Sequence, residues 1–138
     1  MRYKIFGDKL PGLTLQLDAG ESIYTQSGGM SWMTDNIQME TNMRGGLMKG
    51  LGRMLTGESL FMATYTARNA GAEITLTSAM PGEIRALQLD GRQQYIAQKS
   101  AFLCAQPGVE LSTYVTKLKA GLFGGEGFLM QRLSGQGM

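Results

Sequence analysis

The chain has 138 residues and a net charge of +2, from 13 Lys and Arg against 11 Asp and Glu, too little to indicate a nucleic-acid partner. Its 43% hydrophobic and 17% charged residues exclude a disordered chain and predict a single β-rich domain over residues 1–138. One cysteine excludes an internal disulfide, and no apolar run reaches the roughly 18 residues of a membrane span. These features predict a soluble, cytoplasmic protein.

Apolar and polar residues alternate with a period of two, the pattern of a strand with one buried face. The alternation is clearest at Leu13, Leu15 and Leu17, at 37–42, at 74–77 and at 109–116. Turns containing Gly or Pro recur about every ten residues, which is typical of an all-β sandwich or barrel. The turn at Asp90-Gly91 predicts a tight hairpin, because glycine accepts positive φ. Further strands are predicted at 2–6, 22–26, 30–34, 60–67, 84–89, 94–98 and 100–105.

The sequence indicates an internal duplication. Leu-Gln-Leu-Asp occupies 15–18 and again 87–90, an offset of 72, and at that offset Ile37 matches Val109. After a four-residue deletion, 54–58 matches 122–126 at an offset of 68. We therefore predict repeat one at about 11–80 and repeat two at about 82–138. The repeats are expected to pack together, because neither set of hairpins buries its apolar face alone.

Repeat two ends at the turn that precedes the strand at 73–77 in repeat one. One strand edge is therefore expected to lack its neighbour, and such edges pair with another chain unless something covers them. The resulting hypothesis is that the protein self-associates or is a fragment of a longer one.

Residues 43–56 break the two-residue period and predict a short helical or loop segment. Their apolar side chains fall in one arc of about 140° on a helical wheel, but the four glycines there each cost about 1 kcal/mol relative to alanine in a helix. The segment is either a cap on the β core or a cationic, methionine-rich surface for anionic lipid or a protein partner. The predicted interaction surface comprises Met43, Arg44, Leu47, Lys49, Leu51, Arg53, Met54, Lys117 and Lys119.

The chain contains no histidine, which removes the usual general base, the common nucleophile pairs and most transition-metal sites. Cys104 lies in an apolar stretch and is interpreted as an inert buried thiol. Glu58 and Glu126 could form a carboxylate pair, but both follow repeated glycines and are interpreted as turn residues. Trp32 is interpreted as a core or interface residue. We predict a non-enzymatic protein with no catalytic, cofactor-binding or metal-binding residues and no cofactor.

Three segments resemble a known family: Gly28-Gly29-Met30, the glycine-rich run through 53–61, and 124–128. They are similar to the mitochondrial-biogenesis family of uncharacterised bacterial and fungal proteins, which is grouped with the tryptophan RNA-binding attenuation protein-like (TRAP-like) folds. The resemblance covers essentially the whole chain. It implies an all-β, double-stranded β-helix-like sandwich built from internal repeats, with no established enzymatic activity. It also implies a further repeat in other members and, for the fungal member, a link to mitochondrial inner-membrane organisation.

Three functional hypotheses follow. The first is a non-enzymatic β-rich scaffold or interaction protein, with a membrane-peripheral form that uses 43–55 and 117–123. The second is an RNA-binding module of the attenuation-protein-like class, although no ligand residue transfers to this sequence. The third is a small-molecule binder or enzyme that uses the sandwich interior, disfavoured because the apolar strands lack ionisable residues. The expected partners are a second copy of the chain and a membrane surface or another protein, with nucleic acid the least expected.

Overall fold

The computed structural model describes residues 1–26, 28–43, 61–78, 80–98, 100–116 and 128–138. In these ranges every assigned element is a β-strand, and every pairing between strands is antiparallel. The prediction of an all-β fold is therefore confirmed. The strands are β1 (Arg2–Phe6), β2 (Gly12–Leu17), β3 (Ser22–Gln26), β4 (Met30–Met33), β5 (Ile37–Met43), β6 (Phe61–Ala67), β7 (Ala72–Thr77), β8 (Leu89–Asp90), β9 (Tyr95–Gln98), β10 (Cys104–Ala105), β11 (Val109–Thr116) and β12 (Phe128–Gly137).

Two sheets enclose the larger core. One has the order β1-β2-β7-β4 and the other has the order β10-β3-β6-β5. The alternating leucines of β2 and the apolar residues of β7 point inward from the first sheet, because a strand presents every second side chain to the same face. They meet apolar residues of β3, β5 and β6. The buried cluster consists of Leu13, Leu15, Leu17, Ile23, Ile37, Ala63, Tyr65, Ala67, Ala72, Ile74 and Leu76.

A third sheet has the order β11-β12-β8, and β9 also pairs with β12. It contributes to a second, smaller cluster made by Tyr24, Met62, Leu89, Phe102, Ala105 and Val109. Because Tyr24 and Met62 belong to β3 and β6, the middle sheet supplies side chains to both clusters. The inner strand β3 is therefore buried on both faces, with three consecutive buried residues, whereas residues 38–41 of β5 are exposed.

Most strand predictions agree with the structure within one or two residues, but two are wrong. Residues 84–89 and 100–105 were predicted as full strands, whereas only Leu89–Asp90 and Cys104–Ala105 pair with another strand. The hairpin at Asp90-Gly91 is also wrong, because the strands on both sides of this turn pair with β12 and not with each other. The turn itself forms: Gly91 has a φ of +85°, and the Arg92 amide donates to the Asp90 carboxylate at 2.9 Å.

The two halves share a pairing pattern. In the first half β6 lies between β3 and β5, and in the second half β12 lies between β9 and β11. The register of the paired residues is also the same in the two halves. Adding 72 to the residue numbers of β3 and β5, and 68 to those of β6, gives the pairs seen in β9, β11 and β12. The corresponding pairs are Ile23–Tyr65 with Tyr95–Leu133, and Ile37–Ala67 with Val109–Gly135.

The segment predicted as helix or loop at 43–56 begins inside a strand. Met43 is the last residue of β5 and pairs with Phe61 of β6, so the extended backbone continues to that point. Residues 44–56 lie outside the described part of the chain.

Candidate functional site

A cavity of about 770 Å³ opens at one side of the stacked sheets. On this side β1 is the outermost strand of the first sheet and β10 the outermost strand of the middle sheet. The five residues of β1 outnumber the two residues of β10, so the middle sheet covers less of the interior there. Residues 80–88, which form no strand, run along the gap, and Ile84 packs on the larger core cluster.

The inner wall of the cavity is aliphatic. Leu13, Leu15 and Ile23 line it from the first half, and Leu89 and Val109 line it from the second. All five side chains are buried. The cavity is therefore lined by residues of both core clusters, at the side of the middle sheet that ends with β10.

One hydroxyl on this wall is already satisfied. The Thr25 side chain is buried and lines the cavity, and its Oγ1 donates to the Gln26 carbonyl oxygen at 2.8 Å. This local bond is the reason that a threonine is tolerated among aliphatic residues, since a buried hydroxyl without a partner would be destabilising.

The mouth of the cavity combines polar side chains with the exposed apolar side chains of Tyr3, Ile5, Met80 and Leu87. Gln98 and Ser100 are exposed and line it from the end of β9 and the following turn. Glu83 and Arg85 line it from the connecting segment, and the Arg85 Nη2 lies 3.1 Å from the Glu83 Oε2. Because both side chains are largely exposed and each neutralises the other, the ion pair contributes little stability. These four polar residues give the opening neutral hydrogen-bonding groups and a balanced pair of charges.

Cys104 also lines the cavity, from β10. Burial raises the pKa of the Cys104 thiol to about 12, because the surroundings disfavour a thiolate. The thiol is therefore protonated at neutral pH and a poor nucleophile, which agrees with its interpretation as an inert thiol.

An aromatic contact supports the second-half side of the cavity. Tyr24 stacks on Phe102 with ring centroids 5.5 Å apart, and the Tyr24 hydroxyl donates to the Val109 carbonyl oxygen at 2.8 Å. β10 continues this junction, since Ala105 pairs with Tyr24 in the sheet. These contacts hold the second half against β3 and fix the position of the cavity wall.

A second candidate feature is the outer edge of β1. Among the described residues, β1 pairs with β2 alone. All five of its residues are exposed, and they include the large apolar side chains of Tyr3, Ile5 and Phe6, of which Tyr3 and Ile5 also line the rim of the cavity. Exposed apolar edge strands are templates for pairing with another chain.

The sequence-predicted interaction surface is placed at one position only. Met43 ends β5, which lies at the opposite side of the middle sheet from β10 and the cavity. The other eight predicted residues (Arg44, Leu47, Lys49, Leu51, Arg53, Met54, Lys117 and Lys119) and the turn residues Glu58 and Glu126 lie outside the described ranges. Trp32 is 48% exposed on β4, so it is not a core residue.

The sequence did not single out the β1 edge, and it gave a binding site in the sandwich interior only as the disfavoured third hypothesis, without wall residues. An available signal for the edge was the strand prediction at 2–6 together with three large apolar residues. The cavity had no comparable signal in the sequence, because its wall comes from separate segments.

The described ranges contain no helix that is long and apolar enough to cross a membrane. They also contain no group of three His, Cys, Asp or Glu residues that could hold a metal ion. The fold and the site thus define an all-β protein with packed antiparallel sheets and a ligand-sized cavity. The chain belongs to the mitochondrial biogenesis AIM24 family, whose pattern matches residues 3–138.

Two similar proteins come from Streptococcus pyogenes. An uncharacterized protein of serotype M6 is 33% identical over 128 residues, which cover 88% of this chain and 51% of the relative. A crystal structure of a protein from the same species is similar with a TM-score of 0.72 and 28% identity, over 99% of this chain and 61% of that one. The chain thus spans about half the length of the curated relative that it matches.

Proposed function

We propose that this chain is a non-enzymatic scaffold or interaction protein and that it self-associates through the outer edge of β1. The observation that carries the proposal is the exposed apolar edge: β1 has one partner strand among the described residues, and Tyr3, Ile5 and Phe6 are all exposed. The backbone groups on the outer side of such a strand are available to pair with an added strand.

The side-chain pattern of β1 favours a specific pairing with a second copy. In an antiparallel pair centred on Lys4, each Tyr3 lies opposite the Ile5 of the other copy, and each Arg2 lies opposite the other Phe6. Residues opposite each other share one face, so this register keeps Tyr3 and Ile5 on the side that faces β2 leucines Leu13 and Leu15. A shift by one residue in either direction would lose both Tyr3–Ile5 pairs and place Ile5 opposite Arg2 or Lys4.

The same register places the two Lys4 side chains opposite each other. Like charges directly across a strand pair are destabilising, and salt screens exposed charges. We therefore expect weak association that strengthens as the salt concentration rises. Most interfaces held by opposite charges show the reverse dependence, so the sign of the salt effect is informative about the register.

Sedimentation velocity between about 1 and 100 μM tests the proposal, because association across a micromolar to millimolar range corresponds to only about 4–8 kcal/mol. We expect the mean sedimentation coefficient to rise with concentration and with salt. Ile5→Lys is expected to abolish the rise, since it places a charge opposite Tyr3 of the second copy. Ile96→Lys is the matched control, because Ile96 is exposed to a similar extent (45% against 38% for Ile5) but lies on β9.

A concentration-independent monomer in the unaltered protein would contradict self-association. Equal effects of the two isoleucine variants would instead exclude β1 as the interface. Circular dichroism melting of each variant separates a lost interface from a lost fold.

We also propose the finer architecture of a double-stranded β-helix-like sandwich built from two copies of one unit. The shared register of β3-β6-β5 and β9-β12-β11 supports it, and so do equivalent backbone hydrogen bonds and a positive φ at both Gly28 and Ser100, which are 72 positions apart. Each bond of the first half has a counterpart in the second, and in each the first-named residue donates its amide to the carbonyl oxygen of the other. The bond Gly29–Gln26 corresponds to Ala101–Gln98, Ile37–Thr34 corresponds to Val109–Gln106, and Arg68–Asn36 corresponds to Gln136–Gly108.

The membrane-peripheral form and the RNA-binding alternative stay predictions. Both depend on the cationic segments at 43–55 and 117–123, which lie outside the described residues except for Met43. The cytoplasmic location and the TRAP-like classification also stay predictions.

A further inference from the structure

The cavity beside β10 has the size and lining of a binding site. Ligand pockets are commonly about 300–1,000 Å³ and mostly apolar, with a few polar groups that orient the ligand. At about 770 Å³, this cavity lies within that range. Its inner wall is aliphatic, whereas its exposed rim carries the polar groups of Gln98 and Ser100 beside apolar ones such as Leu87, so polar partners are offered at the rim.

The inner wall excludes a charged group. Among the described wall residues, the charged side chains are Glu83 and Arg85, which pair with each other at the mouth, and the ammonium of Met1 is held by the Glu21 carboxylate at 2.7 Å. The Thr25 hydroxyl on the inner wall already donates its proton to a backbone carbonyl. A phosphate or carboxylate placed inside would therefore lose its hydration without gaining a partner.

Water is also a poor occupant of the inner part. A volume of this size corresponds to roughly 25 water molecules at about 30 Å³ each. Aliphatic walls offer those molecules few hydrogen bonds, whereas a hydrocarbon chain buries apolar surface on both sides of the contact. Leu15 and Val109, from different halves of the chain, both line the space that such an occupant would fill.

We propose that the cavity binds the hydrocarbon chain of a long-chain acyl ligand, with the chain against the inner wall and the polar end at the mouth between residues 80–87 and the group of Gln98, Ser100 and Ala101. A flexible chain suits a wall assembled from separate strands and a connecting segment. The polar end meets hydrogen-bonding groups, such as those of Gln98 and Ser100, and stays in water. The acyl chain can belong to a free fatty acid or to a membrane lipid.

Titration with the fluorescent fatty acid cis-parinaric acid tests the proposal. We expect saturable binding of about one probe per chain, displaced by palmitic acid or by monopalmitoyl phosphatidylcholine. The stronger competitor identifies the source of the acyl chain. Failure of both competitors, or fluorescence that never saturates, would overturn the proposal.

Two leucine-to-tryptophan variants locate the binding. Leu87 lines the cavity from the connecting segment, which makes no strand pairing and can adjust to a larger side chain. We expect Leu87→Trp to weaken probe binding at least 10-fold by filling the space. Leu10 is 63% exposed and does not line the cavity, so Leu10→Trp is expected to change binding less than twofold. Equal binding by the two variants would place the probe elsewhere.

Cys104 provides a readout that needs no variant. It is the single cysteine of the chain and lines the cavity. We expect saturating palmitic acid to slow its alkylation by monobromobimane at least fivefold at pH 9. An unchanged alkylation rate under saturating ligand would contradict occupancy of this cavity.

Discussion

The β3-β6-β5 ladder of the first half and the β9-β12-β11 ladder of the second half share their strand pairing, but the two halves differ in side-chain packing. Leu15 is 3% exposed, whereas Leu87, the residue 72 positions later, is 37% exposed. Tyr24 is fully buried, whereas its counterpart Ile96 is 45% exposed. The difference shows that the backbone ladders keep their register in the second half although fewer side chains are buried there.

This difference has a physical basis. Strand register depends on backbone hydrogen bonds along the ladder and on which face is buried. The long pair of β11 and β12 supplies eight consecutive partners, so its register is fixed without a dense core. The second half can therefore leave space between its strands and the first half, and the cavity occupies that space.

The largest expected effect comes from Gly135→Ala. Gly135 on β12 has a φ of +94°, and a Cβ there would collide with the backbone carbonyl oxygen of Gly108. The first half has Ala67 at the equivalent position, so only the second half depends on glycine there. We expect a loss of about 3 kcal/mol or more in the free energy of unfolding, because backbone strain and overlap add. Urea denaturation measures it.

Gly20→Ala is the control for the backbone conformation alone. Gly20 also has a positive φ, of +79°, but an added Cβ would meet no atom within 4 Å. We expect a loss of about 1 kcal/mol, the usual difference between glycine and another residue in the left-handed region. If both variants lost the same free energy of unfolding, the close approach of Gly135 to the Gly108 carbonyl would make no contribution of its own to the effect of Gly135→Ala.

A smaller effect is expected from the matched pair Leu15→Ala and Leu87→Ala. Leu15→Ala removes a side chain from the larger core and is expected to cost about 2–4 kcal/mol. Leu87→Ala removes a partly exposed side chain from a segment without strand pairing and is expected to cost less than about 1 kcal/mol. Urea unfolding of the two variants measures this difference. Equal losses would show that the second half is packed as tightly as the first.

Local sequence predicted the long strands well, because each carries its own alternation. The leucines of β2 and the residues of β11 indicate which face is buried without reference to the rest of the chain. Residues 84–88 carry a similar alternation but form no strand, since among the described residues no neighbouring strand pairs with them. A strand exists only where a partner ladder exists, and local alternation does not supply that partner.

The cavity and the double burial of β3 could not be predicted in this way. Three consecutive residues of β3 (Ile23, Tyr24 and Thr25) are buried because sheets lie on both sides, and Thr25 satisfies its hydroxyl on the Gln26 carbonyl. The cavity arises because β10 is shorter than β1, which lies at the corresponding end of the facing sheet. Both features depend on relations between distant segments.

The smallest expected effect is a gain in stability from Ser100→Gly. Ser100 has a φ of +80°, and its counterpart in the first half is Gly28, with a φ of +91°. The left-handed conformation costs a residue with a Cβ about 1–2 kcal/mol, while glycine adds about 0.4–1 kcal/mol of unfolded-state entropy. We therefore expect a net gain of about 0.5–1 kcal/mol in urea unfolding. Ala101→Gly, at a neighbouring position without positive φ, is expected to lose about the entropic amount, so the two variants should change stability in opposite directions. A loss in both would show that the turn of the second half does not share the backbone conformation of the first.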